Sequence, residues 1–277
     1  MSRFLSFTNS LGREYIFRNI LSLSGFDMPP VSHISITSSG QDGASYTRSY
    51  LQPRELKISF DIFADKNISA EAARRNLINR LSPKNGEGRL AYHVNNSAVM
   101  IRCVLDSLVV TRQSSKILTA LVCFKAFSSY FIDSIESKSS LKFVQSLLVF
   151  PVTFPCVFGT RTNTGIIQNL GDAPAPVVIR FYGGVTSPSF INHTTNEAIT
   201  LSGTIATDEI LEINTAFGVK SITLISGNTR TNAFSMLDPR SQLWSLAPGK
   251  NEIEYTCEMD NDDSFGEVAY FNRYLGV

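Results

Sequence analysis

The sequence predicts a mainly β protein with two domains and one helix, on the basis of three observations. Apolar and polar residues alternate with a period of two in short segments along most of the 277 residues. Helical spacing of apolar residues occurs in one segment, at about residues 69–82. In the second half, Gly, Pro, Asn and Asp separate short strand-like segments, a pattern typical of a β-sandwich.

The first half carries four strand-like segments. "HISITSS" (33–39) places Ile34 and Ile36 on one face. "ELKISFDIFA" (55–64) alternates clearly, and its apolar face consists of Leu56, Ile58, Phe60 and Ile62. "MIRCVLDSLVV" (100–110) and "KILTALVCFKAF" (116–127) alternate more weakly. We expect segments 55–64 and 100–110 to leave sheet edges that a second copy pairs with or covers.

The helix is predicted from "SAEAARRNLINRLSPKNGEG" (69–88). Ser69 is placed to cap its first turn, where the helix dipole also favours Glu71. Pro83 and Gly86 end it. Its apolar stripe is expected to pack on the open face of a sheet and consists of Ala73, Leu77, Ile78 and Leu81. Three arginines on the other side indicate a solvated face or, alternatively, a partner contact: Arg74, Arg75 and Arg80.

A polar, serine-rich stretch, "DSIESKSSLK" (133–142), predicts a domain boundary, with a first domain at 1–136 and a second at 137–277. Beyond it, "LLVFPVTFPCVFGT" (147–160) is apolar but carries Pro151 and Pro155. Because proline costs about 3 kcal/mol inside a helix, we expect an extended, kinked strand rather than a membrane span. Strands only are predicted after it: "IIQNLG", "PVVIRFYG", "AITLSG", "ILEINT", "KSITLIS" and "NEIEYTCE".

The composition excludes several classes of partner. Lys and Arg total 25 against 24 for Asp and Glu, so no net field attracts nucleic acid or an anionic membrane. We therefore expect neither sequence-specific nucleic-acid contact nor membrane insertion. The first residues lack a continuous apolar core, so we expect no secretory signal.

The four cysteines show no metal-binding pattern, because none forms a CxxC and no histidine lies close in sequence. We expect four buried thiols in a reducing compartment, at Cys103, Cys123, Cys156 and Cys257. A disulfide between Cys103 and Cys123, on paired strands, is the alternative.

The sequence shows no arrangement typical of catalysis, and no catalytic, cofactor-binding or metal-ligating residue is predicted. The histidines are isolated and expected at surface or turn positions: His33, His93 and His193. Carboxylates at Asp208, Glu209 and Glu212, and at Glu252 and Glu254, could form a glycosidase pair. Glu252 and Glu254 share one strand face, expected to be the solvent face. "DNDD" (260–263) lacks the glycine and distal glutamate of an EF-hand and predicts an acidic turn rather than a calcium site.

Trp244 suggests a carbohydrate-binding surface, because exposed tryptophans stack on sugars. However, Leu243 and Leu246 flank it and the turn "PGKN" follows. These neighbours favour a buried core tryptophan.

An ordered set of segments resembles the distal tail protein (Dit) family of siphophages, along nearly the whole chain. In the first half these are "FTNSLGREYIF", "GQDGASYTRSYLQPRELKISFDIFA" and "RLSPKNGEGRLAYHV". In the second half they are "FPVTFPCVFG", "NLGDAPAPVVIRFYGG", "PSFINHTTNEAITLSG", "DEILEINTAFGVKSITL", "NAFSMLDPRSQLWSLAPGKNEIEY" and "FNRYLGV".

The resemblance implies a non-enzymatic structural virion protein without cofactors. In the family, the N-terminal β-barrel or sheet domain with one helix forms a six-membered ring, followed by a galectin-like β-sandwich. The ring is the tail-tip hub that joins the tail tube to the tail-associated lysin or fibre protein, and to receptor-binding proteins where these are present. We expect assembly in the host cytoplasm. Two other functions stay open, a carbohydrate-binding adhesin of the tail tip and a hydrolase of cell-wall polymer.

Overall fold

The chain folds into two units that are both built mainly of antiparallel strands. The computed structural model describes residues 3–63, 69–95, 97–114, 116–142, 164–260 and 264–277. The first unit comprises Met1–Ser134 and Tyr274–Val277, and the second comprises Ile135–Arg273. The prediction of a mainly β fold is confirmed, and the described residues contain one α-helix, as expected. The return of the last four residues to the first unit has no counterpart in the sequence-based prediction.

The described residues of the first unit form ten strands, one α-helix and a 3₁₀ turn at Pro83–Asn85. In chain order its elements are β1 (Arg3–Thr8), β2 (Glu14–Phe17), β3 (Ile20–Ser24), β4 (Val31–Ile36), β5 (Ser45–Leu51), β6 (Arg54–Phe63), α1 (Ala70–Leu81), β7 (Gly88–Val94), β8 (Ser97–Arg112), β9 (Ile117–Ala126) and β10 (Phe131–Asp133).

The main sheet of this unit has the strand order β2-β1-β7-β8-β9-β6-β3. Its two edge strands, β2 and β3, are consecutive in the chain and separated by Arg18 and Asn19 alone. Because the three steps from Phe17 to Ile20 span at most roughly 11 Å, the two edges must approach each other. The sheet therefore curls into an incomplete barrel around the core.

The predicted strand at 55–64 is observed as β6, and its alternation matches the burial. Leu56, Ile58 and Phe60 are buried, and they pair with Phe124, Val122 and Ala120 of β9. The expectation of a sheet edge is wrong for this segment, because β6 pairs with β9 along its length and with β3 at residues 57–60. It is confirmed in part for 100–110, because residues 97–103 of β8 pair with β7 whereas residues 104–112 pair with β9 and have no second strand partner among the described residues.

Helix α1 begins and ends where the sequence predicts. The Ser69 hydroxyl accepts a hydrogen bond of 3.2 Å from the amide of Ala72, and the 3₁₀ turn at Pro83–Asn85 follows the last turn. Leu77 and Leu81 enter the core, but Ile78 is exposed, contrary to its predicted place in the apolar stripe. The helix therefore buries a narrower face than the sequence indicates.

The second unit contains strands β11–β24. They are β11 (Ser137–Leu141), β12 (Thr164–Asn169), β13 (Ala175–Tyr182), β14 (Val185–Thr186), β15 (Ser189–Asn192), β16 (Glu197–Thr200), β17 (Thr204–Ile205), β18 (Glu209–Asn214), β19 (Ser221–Ser226), β20 (Thr229–Asn232), β21 (Ser245–Leu246), β22 (Gly249–Thr256), β23 (Met259–Asp260) and β24 (Phe265–Tyr270). A 3₁₀ turn lies at Phe234–Met236, and β25 (Arg273–Tyr274) leads back to the first unit, where β10 pairs with it.

Two larger sheets dominate the second unit. One has the order β11-β24-β13-β18-β19-β20, and the other has the order β12-β22-β15-β16. Alternate residues of both enter one apolar cluster, including Val177, Ile179 and Phe181 of β13 and Ile253 and Tyr255 of β22. Trp244 lies in this cluster at 1% exposure, which confirms its predicted core position. The predicted strand at 147–160 lies outside the described residues.

Candidate functional site

One exposed apolar feature of the first unit is the hairpin formed by β4 and β5. These two strands pair with each other and form a sheet of their own. Ile36 is 60% exposed and Tyr46 is 67% exposed, and Val31 and Tyr50 are exposed as well. A two-stranded hairpin is marginally stable alone, and its unpaired edges readily accept another chain. The hairpin is therefore a candidate assembly surface.

One face of the hairpin carries a small polar cluster. Ser49 Oγ lies 2.6 Å from Nδ1 of His33 and 2.9 Å from the hydroxyl of Tyr46. The cluster links both strands, since His33 belongs to β4 and the other two to β5. It stabilises the pairing of the two strands where no other sheet supports them.

The sequence pattern does not predict this surface. The segment "HISITSS" correctly predicts strand β4, but its alternation does not indicate whether the face of Ile34 and Ile36 is covered, and Ile36 is exposed. The available signal lies in β5, "SYTRSYL", in which three polar residues separate the two tyrosines and no aliphatic residue comes before Leu51. A strand without aliphatic residues has little to bury against its own domain.

A second apolar surface is a groove between helix α1 and strand β8. The groove has a volume of about 240 Å³. Its lining is mostly apolar and includes Ile78, Pro83, Leu105, Leu108 and Val110. The exposure of Ile78 follows from its place in this groove.

The three arginines of α1 differ in their surroundings. Arg74 and Arg75 are exposed, as predicted for a solvated face. Arg80 is half-buried: it donates a hydrogen bond to the carbonyl oxygen of Glu14 and one of 2.9 Å to Oδ1 of Asn76. Its role is to hold the helix against strand β2.

The histidines lie apart from one another in the fold. His33 is on the exposed hairpin and His193 is in an exposed turn, as predicted. The prediction is wrong for His93, which lies half-buried in β7. Its ring stacks on Phe4 at 4.1 Å, and its Nε2 lies 3.0 Å from the hydroxyl of Ser6. These contacts join strands β1 and β7.

Among the candidate glycosidase carboxylates, Glu212 belongs to a network of ion pairs. Glu212 accepts a hydrogen bond of 2.8 Å from Nε of Arg180, whose Nη1 donates at 2.8 Å to Glu267. The flanking carboxylates raise the pKa of Arg180 against its partial burial. Asp208 precedes β18 in an exposed turn, so it is separate from this network. The geometry is that of a cross-strand ion-pair network rather than of a catalytic pair.

The second pair of carboxylates lies on the solvent face of β22, as predicted. Glu252 is exposed, and Glu254 lies 2.7 Å from Nε2 of His193. Within the described ranges, no group of three His, Cys, Asp or Glu is placed to hold a metal ion. Residues 261–263 of "DNDD" lie outside these ranges, so the acidic turn stays a prediction.

Cys103 and Cys123 carry free thiols. Cys103 and Cys123 are buried on neighbouring strands, but Cys123 pairs with Ser107 of β8, so the two thiols are not opposite each other. The alternative of a disulfide between them is therefore wrong. Cys257 is half-buried rather than buried, and Cys156 lies outside the described residues. Burial raises the pKa of the Cys103 thiol.

Comparison with known proteins decides the family. Residues 12–126 match the phage tail protein RIFT-related domain, and residues 170–274 match the siphovirus-type tail component, C-terminal domain. The chain belongs to the distal tail protein (Dit) family of siphophages. It is accordingly a structural component of a phage tail. No curated protein sequence matches it significantly.

Solved structures share the fold of this Dit protein. The crystal structure of SPP1 Dit (gp 19.1), described as a paradigm of the hub adsorption apparatus, has a TM-score of 0.68 at 13% identity. A chain of the phage P2 baseplate in its activated conformation with Ca has a TM-score of 0.53 at 12% identity. Each alignment covers 97% of this chain and 98% of the other. Among the described residues, no helix is long and apolar enough to cross a membrane.

Proposed function

We propose that this Dit protein forms a closed ring of six copies at the distal end of the tail tube. The ring is the hub that joins the major tail tube protein to the tail-associated lysin or fibre protein, and to receptor-binding proteins where these are present. The ring is made by the first unit, and the second unit is a galectin-like sandwich. The protein acts at the tail tip, without catalytic activity, after assembly in the host cytoplasm.

The observation that carries this proposal is the exposed hairpin β4–β5. It presents Ile36 and Tyr46 to solvent at 60% and 67% exposure and pairs with no other described strand. A second copy that covers the hairpin would bury these side chains and form hydrogen bonds with the unpaired backbone groups at the hairpin's edges. Repetition of one head-to-tail contact about an axis gives a closed ring when the rotation closes.

Two further features support an assembly role. The edge strands β2 and β3 each have one side without a strand partner in the described fold. The chain's formal net charge of +1 makes repulsion between copies small. Association through the hairpin and these edges is therefore weakly opposed.

The burial of Trp244 argues against the adhesin alternative, which was based on an exposed tryptophan. Trp244 is 1% exposed within the core of the second unit and so cannot stack on a sugar. A glycan array with the full chain tests this alternative directly, because strong and specific binding would favour the adhesin. The hydrolase alternative loses Glu212, whose carboxylate is paired with Arg180.

The ring is tested by light scattering across a concentration series with a matched pair of variants. Ile36→Asp places a charge on the hairpin, and Ile166→Asp places one on an exposed strand isoleucine of the second unit, which is 68% exposed. We expect the unchanged chain and Ile166→Asp to reach six times the 30.6 kDa of one chain. Ile36→Asp is expected to stay smaller. Equal masses for both variants would show that the hairpin is not part of the interface between copies.

A further inference from the structure

Arg54 is a buried cation that four backbone carbonyl groups hold. It is 1% exposed, and its terminal nitrogens donate to four oxygens. The acceptors are the carbonyl oxygens of Gly25 at 3.3 Å, Asp27 at 3.0 Å, Ser129 at 2.5 Å and Leu275 at 2.7 Å. Arginine stays protonated in proteins, so a full charge is bound here by oriented peptide dipoles.

An aromatic ring completes the surroundings of this charge. The guanidinium carbon lies 4.7 Å from the centroid of the buried Phe131 ring, and Phe131 stacks on Phe26 at 6.0 Å. A planar cation over an aromatic face is attracted to it. The Phe131 ring therefore fixes the plane of the guanidinium, and the carbonyl groups fix the positions of its nitrogens.

Arg54 contacts the two chain segments that lead into β4 and out of β5. These two segments, the legs of the hairpin, form what is called here the hairpin root. Gly25 and Asp27 lie on the leg that leads into β4, and Arg54 itself lies just after β5. The amide of Gln52 donates to the carbonyl of Pro30 at 2.8 Å, and the hydroxyl of Ser129 donates to the carbonyl of Gln52 at 3.0 Å. Both legs of the hairpin therefore meet at this arginine.

The returning segment, 274–277, docks against the same root. The Leu275 carbonyl accepts from Arg54, and the amide of Val277 donates to the carbonyl of Phe26 at 3.0 Å. Gly276 packs closely on the first leg, since a Cβ atom there would lie 3.2 Å from the Cα of Asp27. The segment that follows the second unit thus contacts the base of the exposed hairpin.

We infer that Arg54 is a latch that couples the docking of segment 274–277 to the order of the β4–β5 hairpin root. Each side supplies acceptors for the same guanidinium, so release of the segment leaves the Arg54 charge short of a partner and loosens Gly25 and Asp27. Lysine cannot replace Arg54 here, because its single ammonium group cannot reach the carbonyl groups of three separate segments as the planar guanidinium does. The direction of the hairpin is therefore set in part by residues that follow the second unit.

Hydrogen exchange of the full chain, read by mass spectrometry, tests the latch from both sides. Arg54→Lys removes the fork, and Gly276→Val pushes the segment away without touching the arginine. In both variants we expect exchange at the amides of Gln52 and Val277 to rise at least about tenfold, the effect of losing a hydrogen bond to a charged group. Exchange in β9 is expected to stay unchanged.

Arg102→Lys is the matched control, since Arg102 is an exposed arginine of the same unit with a single ion-pair contact of 3.8 Å to Glu87. This variant is expected to leave hydrogen exchange at the amides of Gln52 and Val277 unchanged. Faster exchange at the Val277 amide with unchanged exchange at the Gln52 amide would overturn the coupling. An equal rise of the exchange rate throughout β6–β9 would overturn it as well, because it would indicate general unfolding. If Arg54→Lys does not fold, Gly276→Val decides the result alone.

Discussion

Nη2 of Arg54 donates a hydrogen bond of 2.7 Å to the carbonyl oxygen of Leu275, across 221 residues of sequence. The bond joins the end of the described chain to the strand that begins after the exposed hairpin. The first unit is thus completed by residues that follow the entire second unit. A division of this protein at residue 136 therefore removes part of the first unit's own structure.

Removal of residues 274–277 is expected to destabilise the first unit. The loss of the Leu275 carbonyl leaves Arg54 short of one charge-assisted hydrogen bond, which is worth about 1.5–3 kcal/mol. Thermal unfolding measures the effect, and removal of Val277 alone is the comparison, because it loses the bond to the Phe26 carbonyl but keeps the one between Arg54 and Leu275. Equal melting temperatures for the full chain and the chain ending at Arg273 would contradict this prediction.

Trp244→Ala is expected to lower the stability of the second unit sharply. The side chain fills the core, and truncation of a buried tryptophan costs about 3–5 kcal/mol. Phe217→Ala is the control, because Phe217 is 95% exposed and its removal should change little. Chemical denaturation compares the two variants, and a denaturation midpoint of Trp244→Ala equal to that of the unchanged protein would refute a core role.

Gly25→Ala is expected to be more damaging than Gly43→Ala. Both glycines have φ of +85°, where any other residue costs about 1–2 kcal/mol. A Cβ at Gly25 would also lie 1.9 Å from the carbonyl oxygen of Glu55, whereas one at Gly43 meets nothing within 4 Å. The difference between the two free energies of unfolding isolates the clash, at about 1–3 kcal/mol. Equal losses would show that β6 shifts freely to make room.

The thiols are expected to titrate as four free groups in the denatured, unoxidised protein. In the folded protein, Cys103 should react more slowly than Cys257, because it is buried and its pKa is raised, so little thiolate is present. A thiol reagent followed over time gives both rates. A Cys103–Cys123 disulfide found by mass spectrometry would contradict the observed arrangement.

The sequence predicts those features that local pattern decides. Alternation gave the buried face of β6, the Ser69 cap and Pro83 gave the bounds of α1, and the leucines beside Trp244 indicated its burial. These signals lie within a few residues of the feature they predict, so no knowledge of the fold is needed to interpret them.

The sequence did not predict features that depend on distant partners. Strand edges are decided by pairing order, so β6 was wrongly expected at an edge although β2 and β3 occupy the two ends of the sheet. The acceptors of Arg54 are backbone carbonyls, which leave no residue-type signature. Ile36 shows the same limit, because alternation identifies an apolar face without indicating what covers it.

Microscopy of the tail tip tests the central claim most directly. Negative-stain images of the purified chain at high concentration, and of the particle that carries it, should show a closed ring with six-fold symmetry. The tube end can act as a template for the ring, so the particle images are the decisive ones. Persistent monomers at high concentration, together with a tail tip that lacks a six-fold ring of this protein, would contradict the proposed hub.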